Sequence, residues 1–139
     1  MVRTFIDTGV LIAAACEEGE IGRRALEVLD DPNREFASSV FVRLEAIPMA
    51  VYFKNQEEAA FYAVFFDGIR YWAGSLDAIA EDAYQEACAC GMGAMDALHV
   101  AAAVAAGCEE IVTTEKKEKP LHRTSRIKVV SLRPPADTA

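Results

Sequence analysis

The sequence predicts an α/β fold: a central, mostly parallel sheet of four to five strands covered by helices. Three observations predict it. Short runs rich in β-branched and aromatic residues come in the order strand, helices, strand, helices, strand, strand. The first two of these runs end on residues able to cap the helix that follows, Asp7-Thr8 and Ser38-Ser39. The composition, 53% hydrophobic and 26% charged with Ala-rich stretches, is that of a helix-rich globular chain. A length of 139 residues suits one domain with a real core. The expected organisation is a single domain over residues 1–133 and a flexible C-terminal tail over 134–139.

The elements follow in order. "VRTFI" (2–6) reads as the first strand, and Asp7-Thr8 caps a helix through "GVLIAAAC". "GEIGRRALEVLDD" places Ile21, Ala25, Leu26, Val28 and Leu29 at helical spacing, and "DPN" stops it. "EFASS" (35–39) is a second strand whose serines cap "VFVRLEAIPMAVYFK", a helix that Pro48 should kink or interrupt. "QEEAAFYAVFFDGI" opens with acids suited to a helix N-terminus. "SLDAIAEDAYQEACACG" has Ser75 to cap it and Gly91 to end it. "GAMDALHVAAAVAAGC" is small and apolar after Asp96, which predicts a helix buried on several sides and closed at Gly107. "EEIVTTE" and "RIKVVSL" give two more strands, and "RPPADTA" a frayed tail.

Several function classes fall away. No apolar run approaches the roughly 18 residues that span a membrane, and the features of a signal peptide are missing, so a cytoplasmic protein with no membrane contact is expected. The four cysteines, Cys16, Cys88, Cys90 and Cys108, include no CxxC pair and read as reduced thiols on buried helix faces. A net charge of −8 argues against a general nucleic-acid binder. Its distribution argues otherwise: residues 116–133 carry Lys116, Lys117, Lys119, Arg123, Arg126, Lys128 and Arg133 against Glu118 alone. Such a stripe can hold phosphates locally or be a solvated polar edge.

Ligands of a parallel sheet gather outside the carboxyl ends of its strands. Asp7 follows the first strand, Glu45 lies in the opening turns of the helix after the second, Glu115 ends the "IVTT" strand, and Asp96 starts its own helix. Taken singly, Asp7 and Asp96 suit the macrodipole, worth about 0.3–1 kcal/mol each, and Glu45 suits a solvated helix face. Four uncompensated carboxylates in one cleft would repel and resist desolvation, so a cation belongs with them. All four offer oxygen, which selects Mg²⁺ or Mn²⁺ over zinc. Carboxylate-held metals of this kind activate water against phosphodiesters, with no Ser, Cys or His nucleophile required.

"FIDTGVLIA", a Glu in the helix after "SS", and "MDALHVAAAVAAGCEEIVTTE" together resemble the PIN-domain ribonucleases, above all the compact VapC-like toxins of bacterial toxin-antitoxin pairs. The resemblance runs from about residue 2 to 132, and its third segment is the most specific. It implies a PIN-like α/β/α sandwich in which Asp7, Glu45 and Asp96 are core metal ligands and Glu115 matches a fourth acid, a position where the family more often has Asp. It implies supporting roles for Thr8 and Thr113, an extra acid in Glu118, and a core or ligand-orienting role for His99 rather than that of a general base. Metal-dependent endonucleolytic cleavage of RNA, including tRNA and rRNA, inhibition by a cognate antitoxin protein, and a homodimer are implied as well. Lys116, Lys117, Lys119 and Arg123 would then take the RNA backbone. The segment "FYAVFFDGIRYW" is a candidate for dimer or antitoxin packing, with ordinary core as the plainer reading.

Two other readings compete. One is a catalytically weak PIN-fold binding module that acts through protein or RNA contacts. The other is a receiver-like or haloacid-dehalogenase-like phosphotransfer domain, against which stand the lack of DxD at "DTG" and of a paired acid beside Asp7.

Overall fold

The computed structural model describes residues 1–134; apart from Pro134, the tail expected over 134–139 lies outside the described residues. Strands β1 (Val2–Ile6), β2 (Arg34–Ser38), β3 (Tyr71–Trp72), β4 (Glu110–Thr113) and β5 (Lys128–Ser131) form one sheet in the order β3-β2-β1-β4-β5. Every pairing is parallel. Helices α1 (Thr8–Cys16) and α2 (Gly19–Leu29) follow β1, and α3 (Val40–Tyr52) and α4 (Gln56–Asp67) follow β2. Helices α5 (Leu76–Cys90) and α6 (Ala94–Ala105) join β3 to β4, and a 3-10 turn at Pro120–Arg123 precedes β5. The result is the expected helix-covered α/β sheet, parallel throughout.

Burial explains the central strands. Phe5, Ile6, Ile111 and Val112 are fully buried, as a strand covered on both faces requires. Against them lie Val10 and Leu11 of α1 and Val100 and Ala102 of α6. The alanines of α6, with Ala97, Ala101 and Ala103 also buried, leave room for its backbone to come close to its neighbours. From β1 the chain leaves to β2 on one side and returns to β4 on the other. That reversal opens a crevice beyond the carboxyl ends of β1 and β4.

Four expectations need correction. Of the kink or interruption expected at Pro48, the interruption does not occur: α3 is one helix from Val40 to Tyr52 with Pro48 inside it. The missing N–H leaves the Leu44 carbonyl free, and both residues are exposed, so water can satisfy it. Ser75 stands at the start of α5 but caps nothing. Its backbone is left-handed, at φ 55° and ψ 62°, and the first turn begins from its carbonyl, which accepts from the Ile79 N–H at 3.0 Å. The cysteines are free, but they do not lie on buried faces: Cys16 and Cys88 are exposed, Cys90 and Cys108 half-buried. Cys16 is the last residue of α1, and Cys88 lies off the buried stripe of α5 formed by Ile79, Ala83 and Glu86, so each faces out. Burial pushes the Cys108 thiol up to about 12, which keeps it protonated and unreactive. Finally, "DGIRYW" holds a strand, β3, that pairs Ala37 with Tyr71 and Ser38 with Trp72. Two residues are too few to show alternation in a sequence.

Among the described residues, no helix is long and apolar enough to cross a membrane.

Candidate active site

The crevice is built where β1 stops. Asp7 leaves the strand in extended conformation, φ −65° and ψ 148°, and its N–H still bonds the Val112 carbonyl of β4 at 3.0 Å. The carboxylate is 8% exposed and satisfied at both oxygens. Oδ1 accepts the Thr8 N–H at 2.9 Å, and Oδ2 accepts the Thr113 hydroxyl at 2.7 Å. Thr113 thus ties the end of β4 to the end of β1. Its hydroxyl oxygen also accepts the Glu115 N–H at 3.1 Å, which turns the chain after β4 towards the crevice.

Glu45 arrives from α3, whose first turn Ser39 caps by accepting from the Phe41 and Val42 N–H groups. Its carboxylate is about one-third exposed. Oε1 accepts the Thr8 hydroxyl at 2.7 Å and lies 2.7 Å from His99 Nε2. The hydrogen bond from His99, followed by that from Thr8, holds the Glu45 carboxyl below the usual glutamate range against the opposing effect of burial. His99 itself is 2% exposed, with Nε2 3.9 Å from Asp7 Oδ1 and its ring 5.9 Å from that of Phe5.

Asp96 sits in the first turn of α6, half-buried. Burial pushes its carboxyl up, and the charges of Asp7, Glu115 and Glu45 push it further while His99 opposes them. Glu115 is fixed through its backbone: its carbonyl accepts the Ser131 hydroxyl at 2.7 Å and lies 3.1 Å from His122 Nε2. Gly9 leaves room for Thr114, since a Cβ at that position would lie 2.5 Å from Thr114 Oγ1 and force that side chain to turn.

All four acids expected from the sequence, Asp7, Glu45, Asp96 and Glu115, line one open cleft of about 240 Å³ together with Thr8, Gly9, Ile12, Met95, His99 and Thr114. Glu118, Lys116, Lys117, Lys119 and Arg123 do not line it. The three lysines are exposed on the segment leaving Glu115, whereas Arg123 Nη1 donates to the Cys90 carbonyl at 3.0 Å and so is committed to the end of α5. Sequence reasoning missed Ser131 and His122, which fix Glu115 from elements without a motif, and Gly9, whose place in "DTG" was a usable signal. Among the described residues, no three acid, thiol or imidazole groups stand as a ready-made metal cluster. Two of the carboxylates, Asp7 and Glu45, are instead held on hydroxyl, amide and imidazole donors. As donors they are all oxygen, and the mutual repulsion felt at Asp96 is the kind that a hard divalent cation relieves, so the residues fit Mg²⁺ or Mn²⁺.

A parallel sheet with carboxylates gathered beyond its two central strands is an α/β domain built around an acidic cleft. The family model of the PIN domain matches residues 4–126, and the chain belongs to the PIN domain family. No curated protein sequence matches significantly. Among solved structures, a chain of VapBC2 from Rickettsia felis, bound to a DNA fragment from its promoter, has a TM-score of 0.71 at 17% identity, over 94% of this chain and 98% of that one. A chain of DNA-bound VapBC from Salmonella typhimurium has 0.68 at 16%, over 96% and 100%. A chain of a toxin-antitoxin complex from Klebsiella pneumoniae has 0.69 at 18%, over 94% and 98%. At such identities the likeness is one of fold.

Proposed function

We propose that the protein is a Mg²⁺- or Mn²⁺-dependent endoribonuclease and the toxin of a toxin-antitoxin pair, with residues 1–133 as its single domain. The observation that carries the reading is the arrival of Asp7, Glu45, Asp96 and Glu115, from four separate elements, on one cleft at the carboxyl edge of the sheet. Bound among them, Mg²⁺ or Mn²⁺ supplies the positive charge that activates water and offsets charge on the phosphate. Asp7, Glu45 and Asp96 would hold it, and Glu115 would do so with a longer arm. Thr113 and Thr8 keep Asp7 and Glu45 turned into the cleft. Lys116, Lys117 and Lys119, exposed beside Glu115, take the RNA backbone, whose affinity is largely electrostatic.

The toxin reading draws on the family and on neighbours that come from VapBC and toxin-antitoxin complexes. A covering partner, antitoxin or second copy, also suits the surface. Leu44, Met49, Val51, Tyr52 and Phe53 of α3 and its C-terminal end are all more than half exposed. In "FYAVFFDGIRYW", by contrast, Tyr62 and Phe66 are core, and Val64 and Trp72 are the large apolar side chains left exposed.

The test is cleavage of a mixed tRNA and ribosomal RNA pool with Mn²⁺, Mg²⁺ or EDTA, using Asp96→Asn as control. Cleavage that needs metal and is lost in the variant supports the nuclease. No cleavage by a wild type that binds Mn²⁺ in a calorimeter, while the variant does not, favours the catalytically weak binding module. Absence of metal binding in the wild type sinks the metal-dependent reading.

A further inference from the structure

We propose that His99 is a positioning residue: through Nε2–H it fixes the Glu45 carboxylate in the cleft, and neither of its nitrogens acts on a substrate. The inference rests on the reading of Glu45 as a metal ligand and names what holds that ligand in place.

Glu45 needs holding. It rides on the open side of α3, its carboxylate is about one-third exposed, and a glutamate side chain has three rotatable bonds to immobilise. Two donors converge on one of its oxygens, the Thr8 hydroxyl and His99 Nε2, each at 2.7 Å. Both come from rigid, buried places: Thr8 from the first turn of α1, His99 from the middle of α6. With Oε1 taken twice, Oε2 accepts no hydrogen bond among the described residues, and Glu45 lines the cleft.

The tautomer of His99 follows from its other nitrogen. Nδ1 is buried and has no hydrogen-bond partner among the described residues. A proton there would be a buried donor with no acceptor, whereas a bare lone pair sacrifices less. The proton therefore sits on Nε2, where the Glu45 carboxylate accepts it. With Nε2 engaged and Nδ1 sealed, His99 has no free basic nitrogen towards the cleft, although its ring lines the wall. The arrangement is that of an imidazole orienting a ligand carboxylate.

His99→Gln and His99→Leu separate this role from simple packing. Gln can return an N–H donor near the position of Nε2; Leu fills the space without one. Without metal, NMR relaxation of the Glu45 side chain reports its order directly. The expected result is lower order for Glu45 in His99→Leu, with order near wild type in His99→Gln, and both proteins folded by circular dichroism. Mn²⁺ calorimetry should then show a loss of about 10- to 100-fold in affinity for Leu, largely recovered in Gln. Unchanged Glu45 order in a folded His99→Leu overturns the proposal, as does a His99→Gln protein as disordered at Glu45 as the Leu variant. If wild type binds no Mn²⁺, the metal reading of the cleft fails by itself, and the metal-free NMR comparison still decides whether His99 holds Glu45.

Discussion

Asp96 bears an uncomfortable charge. It is half-buried, close to three other acids, and no side-chain hydrogen bond holds it among the described residues, so its carboxyl is pushed up. A raised carboxyl pKa destabilises the ionised folded state, and that penalty is absent well below 3.8, the ordinary value, and grows as pH rises through the shifted range. Asp96→Asn should therefore abolish metal-dependent cleavage yet raise the Tm of the metal-free protein at pH 7. Allowing for solvent screening, the rise should be about 1–3 °C and should vanish at acid pH, as thermal melts across pH will show. Thr113 sits at the other extreme, buried, donating to Asp7 and accepting from Glu115. Thr113→Val keeps the shape and strands both partners, and should cost about 1–3 kcal/mol in urea unfolding. At this scale the sequence is readable where chemistry follows from chain position: Asp7 and Glu115 follow strands, and Thr8 and Asp96 lie in the first turns of helices. It is silent on His122 and Ser131, because a side chain that fixes a backbone carbonyl from a distant turn leaves no periodicity and no motif.

Helices were legible through their caps and their apolar spacing, and the errors fall where a local rule met an exception of the backbone. Pro48 breaks a ladder that water can mend, so Pro48→Ala should keep the fold and add about 1–3 kcal/mol of stability in chemical denaturation. Ser75 has the identity of a cap and the dihedrals of a glycine. Ser75→Gly should raise stability by about 1 kcal/mol, since the strain of a left-handed non-glycine residue is removed and no cap is lost; a capping serine would lose only a few tenths on the same change, so a measured decrease would restore the cap. Strand β3 escaped notice because its pairing with β2, not its own two residues, makes it a strand. The order β3-β2-β1-β4-β5 was likewise beyond reach: alternation predicts a parallel sheet but does not say on which side of β1 the last strands return.

For the whole molecule the divided charge matters more than its total. An acidic body repels RNA generally, and the lysines beside Glu115 offer one place of approach. Replacing Lys116, Lys117 and Lys119 together by Ala should weaken RNA binding at low salt and lower the slope of log affinity against log salt by about 2, with Mn²⁺ affinity unchanged. The central position of β1 has an effect on the protein's own production. β1 is made early, but its partner β4 and the residue Glu115 come more than a hundred residues later, and a polypeptide leaves the ribosome from its N-terminus. Until then Asp7 has neither the Val112 carbonyl nor the Thr113 hydroxyl that fix it. A growing chain is attached to a messenger RNA and surrounded by ribosomal RNA, the kind of molecule the finished cleft is proposed to cut. On the proposed function, the cleft that would cut such RNA is incomplete until β4 has been made and has paired with β1.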